Sequence, residues 1–585
     1  MTSRLASFGS RLPRENGGSR CAALRALAIG VAILSLAGVA NAEVLEAELR
    51  RDVRYLASDE LAGRFTGSAG HWKAAQYIAD RFQRLGLSAV GGDGYLQHFG
   101  FPQSVAMGDS TCLTWGDASW SQPSDVLPLG HSAAGGAEGE IVFVGYGADT
   151  LNSEEGSHEA DLTGRIALVL SGAPDEPSGR ATGGTGRTSR AKVAEAANQG
   201  AAAVILVRTN KDGPDDVPLP FDPTGRGGSI PAVALSRSSA LECLGAEWKS
   251  VFAEDPDAIA QRLGKTVGHG TIHADLREIR TETANVAGLL RGSDPDLMWE
   301  YVVVGAHYDH IGIARDGRVN NGADDNASGV SGLLALAQEF AARRDRPRRS
   351  ILFIAFSGEE LGLLGSRHYV ANPLVPLIGT RAMINLDMVG RLRNNTVMVL
   401  GADSGSGMAD LVEHAALERG IDVTFGGRAP AGSDHVPFLG SSIPSVFMFT
   451  GTHPQYHTPD DDWQLLNYVG MSQVLNMTAD LLEALANADS VPTWVPPPQR
   501  GFLGVVPTQS RAVGFTIASV VADSAAAKAG LMAGDVITEF NGEPVENAAA
   551  LIRALSRLSA GAEVNLVVER GEERYQCTAT LGPAP

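Results

Sequence analysis

Residues 351–366 read ILFIAFSGEELGLLGS. Six apolar residues in succession stop at Ser357, and Glu359 and Glu360 follow at once. A continuous apolar run of this length suits a strand covered on both faces. Taken alone, the two acids read as helix capping. Ser357 and Glu360 fit the S-x-x-E pattern, and carboxylates suit the positive end of a helix, expected here over 359–371. The flanking sequence repeats the pattern. Between about 285 and 488, YVVVGA (301–306) leads to a helix over 328–342. AMINLD (382–387) and VMVLG (397–401) precede a helix over 408–420, and SVFMFTG (445–451) precedes a long helix within 463–486. Apolar strands alternating with helices predict an α/β fold, a mostly parallel sheet flanked by helices.

Functional groups of such sheets gather beyond the carboxyl ends of the strands. His307 and Asp309 follow YVVVGA. Asp325 lies in NNGADDNASG (320–329), just before a helix. Glu359 and Glu360 follow ILFIAF, Asp387 ends AMINLD, and Tyr456 and His457 follow SVFMFTG. Each has an ordinary reading on its own, Asp325 for instance as a helix N-cap. Together they would place several carboxylates on one rim, where they repel each other and lose solvation. Divalent cations remove that cost. Two imidazoles and three carboxylates suit zinc, and a shared carboxylate is the usual bridge of a hydrolytic two-metal site.

These segments resemble the co-catalytic dizinc aminopeptidases, secreted bacterial exopeptidases with a zinc-exopeptidase α/β fold. The matching pieces are HYDH (307–310), GADDNASG (322–329), SGEELGLLGS (357–366), NLDMVGR (385–391), GSDHVPF (432–438) and YHTPDDD (456–462), with YLASDELAGRFTGS (55–68) ahead of them. The resemblance implies two Zn2+ per chain. His307 and Asp387 would hold one, Glu360 and His457 the other, and Asp325 would bridge them, with Asp324 the less suited neighbour. Glu359 would be the general base. Asp309 would accept the second N–H of His307, and Tyr456 would hydrogen-bond the oxyanion. Asp434 and His435 would shape the site without a fixed role. The implied activity is removal of N-terminal residues from peptides. A carboxypeptidase, a dipeptidase, a one-zinc glutaminyl cyclase and an inactive peptide-binding protein remain alternatives.

Two accessory modules accompany this core. Residues 128–275 carry short β runs at 140–147, 164–172, 201–208 and 230–235, one helix at 189–199, and a Gly/Ser/Arg-rich loop at 177–188. They resemble an inserted protease-associated domain. Residues 501–582 resemble a PDZ domain, with Gly501, Phe502, Leu503 and Gly504 as the loop that would bind a peptide C-terminus by strand addition. VPTWVPPPQR (491–500) reads as a stiff, extended linker. The peptidase domain would then comprise 43–127 and 276–490. Within its first part, 71–87 has helical spacing and ends near Gly86.

The 585 residues carry a net charge of −20. Residues 1–42 hold five arginines and one glutamate, so the remainder has 42 basic against 66 acidic residues. This balance disfavours nucleic acid or an anionic membrane as the main partner. Residues 1–42 read as a signal peptide, with an apolar run (26–39) before Ala40-Asn41-Ala42. The run is short for a membrane span, and no later stretch is long enough. A secreted or periplasmic protein is expected, with peptides as partners. Cys112, Cys243 and Cys577 make no disulfide framework, although a Cys112–Cys243 bridge is open.

Overall fold

The fold comes from a computed structural model that describes residues 46–147, 161–172, 188–210, 216–225, 227–428, 432–497, 499–508, 514–556, 558–571 and 573–584. The signal-peptide reading of 1–42 and nearly all of the loop at 177–188 lie outside these residues. By contact the chain divides into two units, one formed by residues up to Phe99 with Glu282–Pro497, the other by Gly100–Thr281 with Pro498–Pro585.

The first unit is built on a central sheet. Among its strands are β1 (Leu276–Leu290), β2 (Tyr301–His307), β3 (Ser350–Phe356), β4 (Thr380–Leu386), β5 (Thr396–Leu400), β6 (Asp422–Gly426) and β7 (Ser445–Phe449), in the order β1-β3-β2-β4-β7-β5-β6. Pairs β3–β2, β2–β4, β4–β7 and β5–β6 are parallel, whereas β1 and the β5–β7 junction are antiparallel. Every residue of β2 and β3 is buried. Alternate side chains feed separate cores. Val302, Val304, Ile351 and Phe353 join one, and Val303, Leu352, Ile354 and Phe356 join the other. A strand covered on both faces has no polar side to show, which is why ILFIAF has no alternation.

Beyond a helical stretch over 46–56, the helices are α1 (Ala69–Arg84), α2 (Gly329–Ala342), α3 (Leu364–Ala371), α4 (Met408–Arg419), α5 (His435–Gly440) and α6 (Tyr468–Asn487). Helix α1 ends as its sequence indicates: Leu85 caps it and Gly86 follows at φ +71°. The helix expected from Glu359 instead begins at Leu364. Gly358, Gly362 and Leu363 all have positive φ, so the backbone over 358–363 is a turn. The Ser357 hydroxyl points inward to His71 Nε2 and Thr283 Oγ1, leaving none for a cap. Ser357 and Glu360 therefore form no capping box.

In the insert, the expected β runs appear as Gly135–Phe143, Ile166–Leu170, Ala203–Val207 and Ala232–Leu235. They lie side by side in one sheet that also takes in Cys112–Trp115, Ala118–Trp120 and Thr266–Ala274, the first two ahead of residue 128. Helices at Arg237–Leu244, Lys249–Phe252 and Pro256–Ala260 join the single expected helix, found at Ser189–Asn198. Cys112 and Cys243 are unpaired; the Cys243 thiol donates to the Trp115 carbonyl at 3.3 Å. In the proline-rich segment, Trp494 bridges to Gly405 and Val495 N–H donates to the Ser404 carbonyl. Its first part thus lies along the first unit and is not a free spacer. The C-terminal module has strands Val505–Pro507, Phe515–Val520, Val536–Phe540, Glu563–Arg570 and Glu573–Thr580 in that order. Its helices are Ala525–Lys528 and Ala548–Leu555. Among the described residues, no helix is long and apolar enough to cross a membrane.

Candidate metal centre

Five chain segments converge at the carboxyl ends of β2, β3, β4 and β7. His307 ends β2 and Asp387 follows β4 directly. Asp325 sits in the loop before α2, Glu359 and Glu360 in the turn after β3, and His457 in the loop after β7. Strand chemistry explains the first two: the parallel register sets neighbouring strand ends level, so their next residues share one rim. Asp325 does not cap α2. The Asn326 side chain accepts the Gly329 N–H at 2.9 Å in that role, so the Asp325 carboxylate faces the site. His457 is held at φ +57°, a left-handed conformation unusual for a non-glycine residue and frequent at functional sites.

The donor atoms form two sets. His307 Nε2 lies 3.3 Å from Asp325 Oδ1 and 3.4 Å from Asp387 Oδ1. His457 Nε2 lies 3.1 Å from Asp325 Oδ2 and 3.2 Å from Glu360 Oε2. One oxygen of Asp325 thus faces each set. The second set gains a member that the sequence reading did not assign: His310 Nδ1 is 2.8 Å from Glu360 Oε1 and 3.7 Å from Asp325 Oδ2. Within each set, His307/Asp325/Asp387 and His310/Asp325/Glu360/His457, one donor atom from every residue lies within 4.8 Å of the others. Imidazole nitrogens and carboxylate oxygens in this number fit zinc. The signal for His310 was its place in HYDH, three residues after His307, but a spacing of three on a strand end fixes no common direction.

Asp309 differs from its expected position. His307 Nδ1 faces the main-chain carbonyl of Asp309 at 3.2 Å, while the Asp309 carboxylate is 3.8 Å away. That carboxylate accepts the Thr66 hydroxyl at 2.9 Å and the Glu359 N–H at 3.1 Å. Its contact therefore orients the turn carrying Glu359. Asp324 points elsewhere, taking the Gly390 N–H at 2.7 Å. The Tyr456 ring stacks on that of His457 with centroids 3.9 Å apart, and the residue is 39% exposed. Asp434 and His435 are fully buried nearby.

Electrostatics follow burial. Burial raises the Asp325 carboxyl, but the imidazoles of His310, His307 and His457 outweigh it and hold it well below the usual range. Burial pushes Glu359 well above that range, aided by Asp434, Asp387 and Glu360 and opposed by His307. Burial opposes protonation of His307, yet Asp387 and Glu359 raise it well above an ordinary histidine. Protons thus share the work of neutralising a crowded acidic pocket, which is the work a cation does.

Residues 285–482, which span this rim, match the model of peptidase family M28. In that segment the chain is similar to peptidase family M28. Its other two modules match family models as well, a PA domain over 137–243 and a PDZ domain over 501–581. An aminopeptidase of Bacillus subtilis is 28% identical over 449 residues, 73% of this chain and 82% of that protein. A probable glutamate carboxypeptidase of Zea mays is 28% identical over 488 residues, 72% of this chain; the chain spans 63% of that relative. A solved aminopeptidase from Aneurinibacillus sp. strain AM-1 has a TM-score of 0.46 at 22% identity, covering 77% of this chain and 96% of that one. The M28 assignment bears out the expected fold and the expected enzyme class, a metalloexopeptidase with PA and PDZ modules.

In the PDZ domain, Gly501–Phe502 pairs with Gly582–Pro583, Leu503 is buried, and Gly504 has φ +83°. A side chain on Gly504 would meet Ser524 Cβ at 2.2 Å, so the turn requires glycine. Among the described residues, Val505–Pro507 pairs only with Phe515–Val520, which leaves its other edge open.

Proposed function

We propose that the chain is a secreted zinc-dependent aminopeptidase that removes N-terminal residues from peptides. The observation that carries the reading is the division of Asp325, one oxygen toward His307 and the other toward His457. His307 and Asp387 would hold one zinc ion, Glu360 and His457 the other, with Asp325 between them. When bound, the ions would polarise the scissile carbonyl and make water acidic enough to attack near neutral pH.

The chain's own residues then divide the remaining work. Glu359, pushed toward a higher proton affinity by burial and like charges, takes the proton of the attacking water and returns it to the leaving amine. Asp309 orients Glu359 by accepting its main-chain N–H. His310 orients Glu360 through Oε1, while Oε2 faces His457. Tyr456, partly exposed beside His457, would donate to the developing oxyanion. The acidic rim attracts a free α-ammonium group, which favours N-terminal trimming.

Export is read from residues 1–42, and the domain limits read from the sequence are part of the same proposal. Gly501–Gly504 would hold a peptide C-terminus whose strand adds to the open edge at Val505–Pro507. A carboxypeptidase reading has one observation in its favour, the name of the maize relative. A peptide library with free and blocked termini decides between them. Hydrolysis confined to peptides with free N-termini is expected; cleavage that requires a free C-terminus would sink the aminopeptidase reading.

A further inference from the structure

The loop at 321–325 carries the carboxylate that faces both donor sets, and its main chain is gripped from two sides. Arg64 comes from the segment ahead of the central sheet and is 1% exposed. Its guanidinium donates to the carbonyls of Asn321 at 2.8 Å, Gly322 at 3.0 Å and Tyr308 at 2.9 Å, and to that of Leu56. Asp461, four residues after His457, comes from the opposite side. Its Oδ2 accepts the N–H of Asp324 at 2.9 Å and of Asp325 at 3.1 Å, and its own carbonyl accepts the Ala323 N–H at 3.1 Å. Five consecutive residues therefore have a main-chain group fixed by Arg64 or by Asp461. Gly322 fits this close embrace because it has φ +54°, and a side chain there would strike the Asp325 carbonyl at 2.1 Å.

Charge is costly at both places. A buried guanidinium and a buried carboxylate each lose their hydration, and here the two do not pair with each other. Arg64 makes its hydrogen bonds to carbonyls, not to a carboxylate. Asp461 Oδ1 lies 3.7 Å from Arg391 and 3.9 Å from His453, beyond hydrogen-bond reach. What the charges supply is directional strength. Charge-assisted hydrogen bonds are roughly twice as strong as neutral ones, and a planar fork fixes several acceptors at once.

We propose that Arg64 and Asp461 form a clamp that aims the Asp325 carboxylate between the two ions, and that both are positioning residues for the zinc centre. The inference rests on the two-zinc reading above. It has a distinctive consequence. Asp325 offers one oxygen to each set, so loosening its loop weakens both ions together. Loss of Glu360 removes a donor from one set only.

The test uses the full chain as wild type, Asp461→Ala, Asp461→Asn, Arg64→Lys and Glu360→Ala. Zinc content and both dissociation constants are measured by competition with a chromophoric chelator, and melting of the chelator-treated protein reports the fold. Asp461→Ala and Arg64→Lys are expected to weaken both ions roughly tenfold or more and by a common factor, with little change in zinc-free melting. Asp461→Asn keeps an acceptor oxygen but loses the charge, so both ions should weaken by a common factor clearly smaller than in Asp461→Ala. Glu360→Ala should weaken one ion far more than the other. Arg64→Lys carries the comparison where Asp461→Ala fails to fold. Wild-type zinc affinity in both clamp variants, loss of a single ion, or equal damage in Asp461→Asn and Asp461→Ala would each overturn the clamp. A wild-type chain that binds fewer than two zinc ions would overturn the two-zinc reading and the clamp with it.

Discussion

Glu360 is shared between two imidazoles: Oε1 lies 2.8 Å from His310 Nδ1, and Oε2 lies 3.2 Å from His457 Nε2. The His310–Glu360 contact joins the loops after β2 and β3, and both residues belong to the donor set without His307. Replacing His310 should therefore disturb the two sites unequally. His310→Ala is expected to weaken the ion held with Glu360 and His457 by roughly 10- to 100-fold while leaving the His307–Asp387 ion nearly unchanged. Chelator competition on the purified variant measures both constants.

The paired glutamates should separate cleanly by mutation. Glu359 belongs to neither donor set, whereas Glu360 belongs to one. Glu359→Ala is expected to keep its zinc and to lose roughly 100- to 10,000-fold in kcat on N-terminal amide substrates. Glu360→Ala should lose both activity and metal. Metal analysis of each variant, run beside its kinetics, checks the assignment; full activity in both would refute it.

Zinc should stabilise the M28 domain as well as activate it. Asp325, Asp387, Glu359 and Asp434 are buried together, and burial raises each carboxyl while imidazoles offset part of that cost. A ligand present at a thousandfold excess over its Kd adds about 4 kcal/mol to folding. Chelation is thus expected to abolish hydrolysis and to lower the first melting transition by several degrees, and added zinc should restore both. Calorimetry before and after chelation measures the shift.

His71 makes acid stability a testable property. Burial, together with the Arg64 charge, pushes its imidazole down from an ordinary 6.5 to about 3. The unfolded chain takes up that proton near pH 6.5 and the folded chain does not. The contribution is therefore complete above pH 6.5 and shrinks as pH falls toward 3, by about 1.4 kcal/mol per pH unit for one proton. His71→Gln should flatten this dependence between pH 6 and 4, as read from denaturant melts at stepped pH. An unchanged slope would count against a neutral buried His71.

The PDZ domain has its own ion pair, with the carboxylate buried and the guanidinium partly exposed. Asp535 is 1% exposed and receives Arg570 through both oxygens, at 2.7 and 2.8 Å, with the Met532 N–H at 2.9 Å. Arg570 holds its carboxyl below the ordinary 3.8. This stabilisation is present above pH 3.8 and disappears as pH falls through the lowered value. Asp535→Asn is expected to destabilise the PDZ transition by about 2 kcal/mol at neutral pH, and thermal unfolding followed by fluorescence measures it.

Much of the peptidase was legible in the chain. ILFIAF and YVVVGA have no polar alternation because both faces of β3 and β2 are covered, and that pattern alone indicates a parallel sheet. Residues directly following those strands were legible for the same reason: parallel register makes strand ends level. His307, Asp387 and the Glu359–Glu360 pair stand in that relation. The turn at 358–363 was not legible. S-x-x-E is a valid capping pattern, and only the inward turn of Ser357 toward His71 and Thr283 rules it out. Asp309 was misjudged on a similar ground, since its carboxylate and its carbonyl are equally close to His307 in sequence.

Local sequence, then, determined which residues could form strands, where those strands stop, and which acids and imidazoles wait at their ends. These follow from periodicity and from short-range sterics. Tertiary structure alone decided direction. That His310 turns to Glu360, that Asp309 serves Glu359, and that Arg64 and Asp461 close on one loop from segments 397 positions apart depends on packing between elements distant in the chain. A buried polar group takes whichever partner the surrounding core brings within about 3 Å, and no spacing along the sequence encodes that choice.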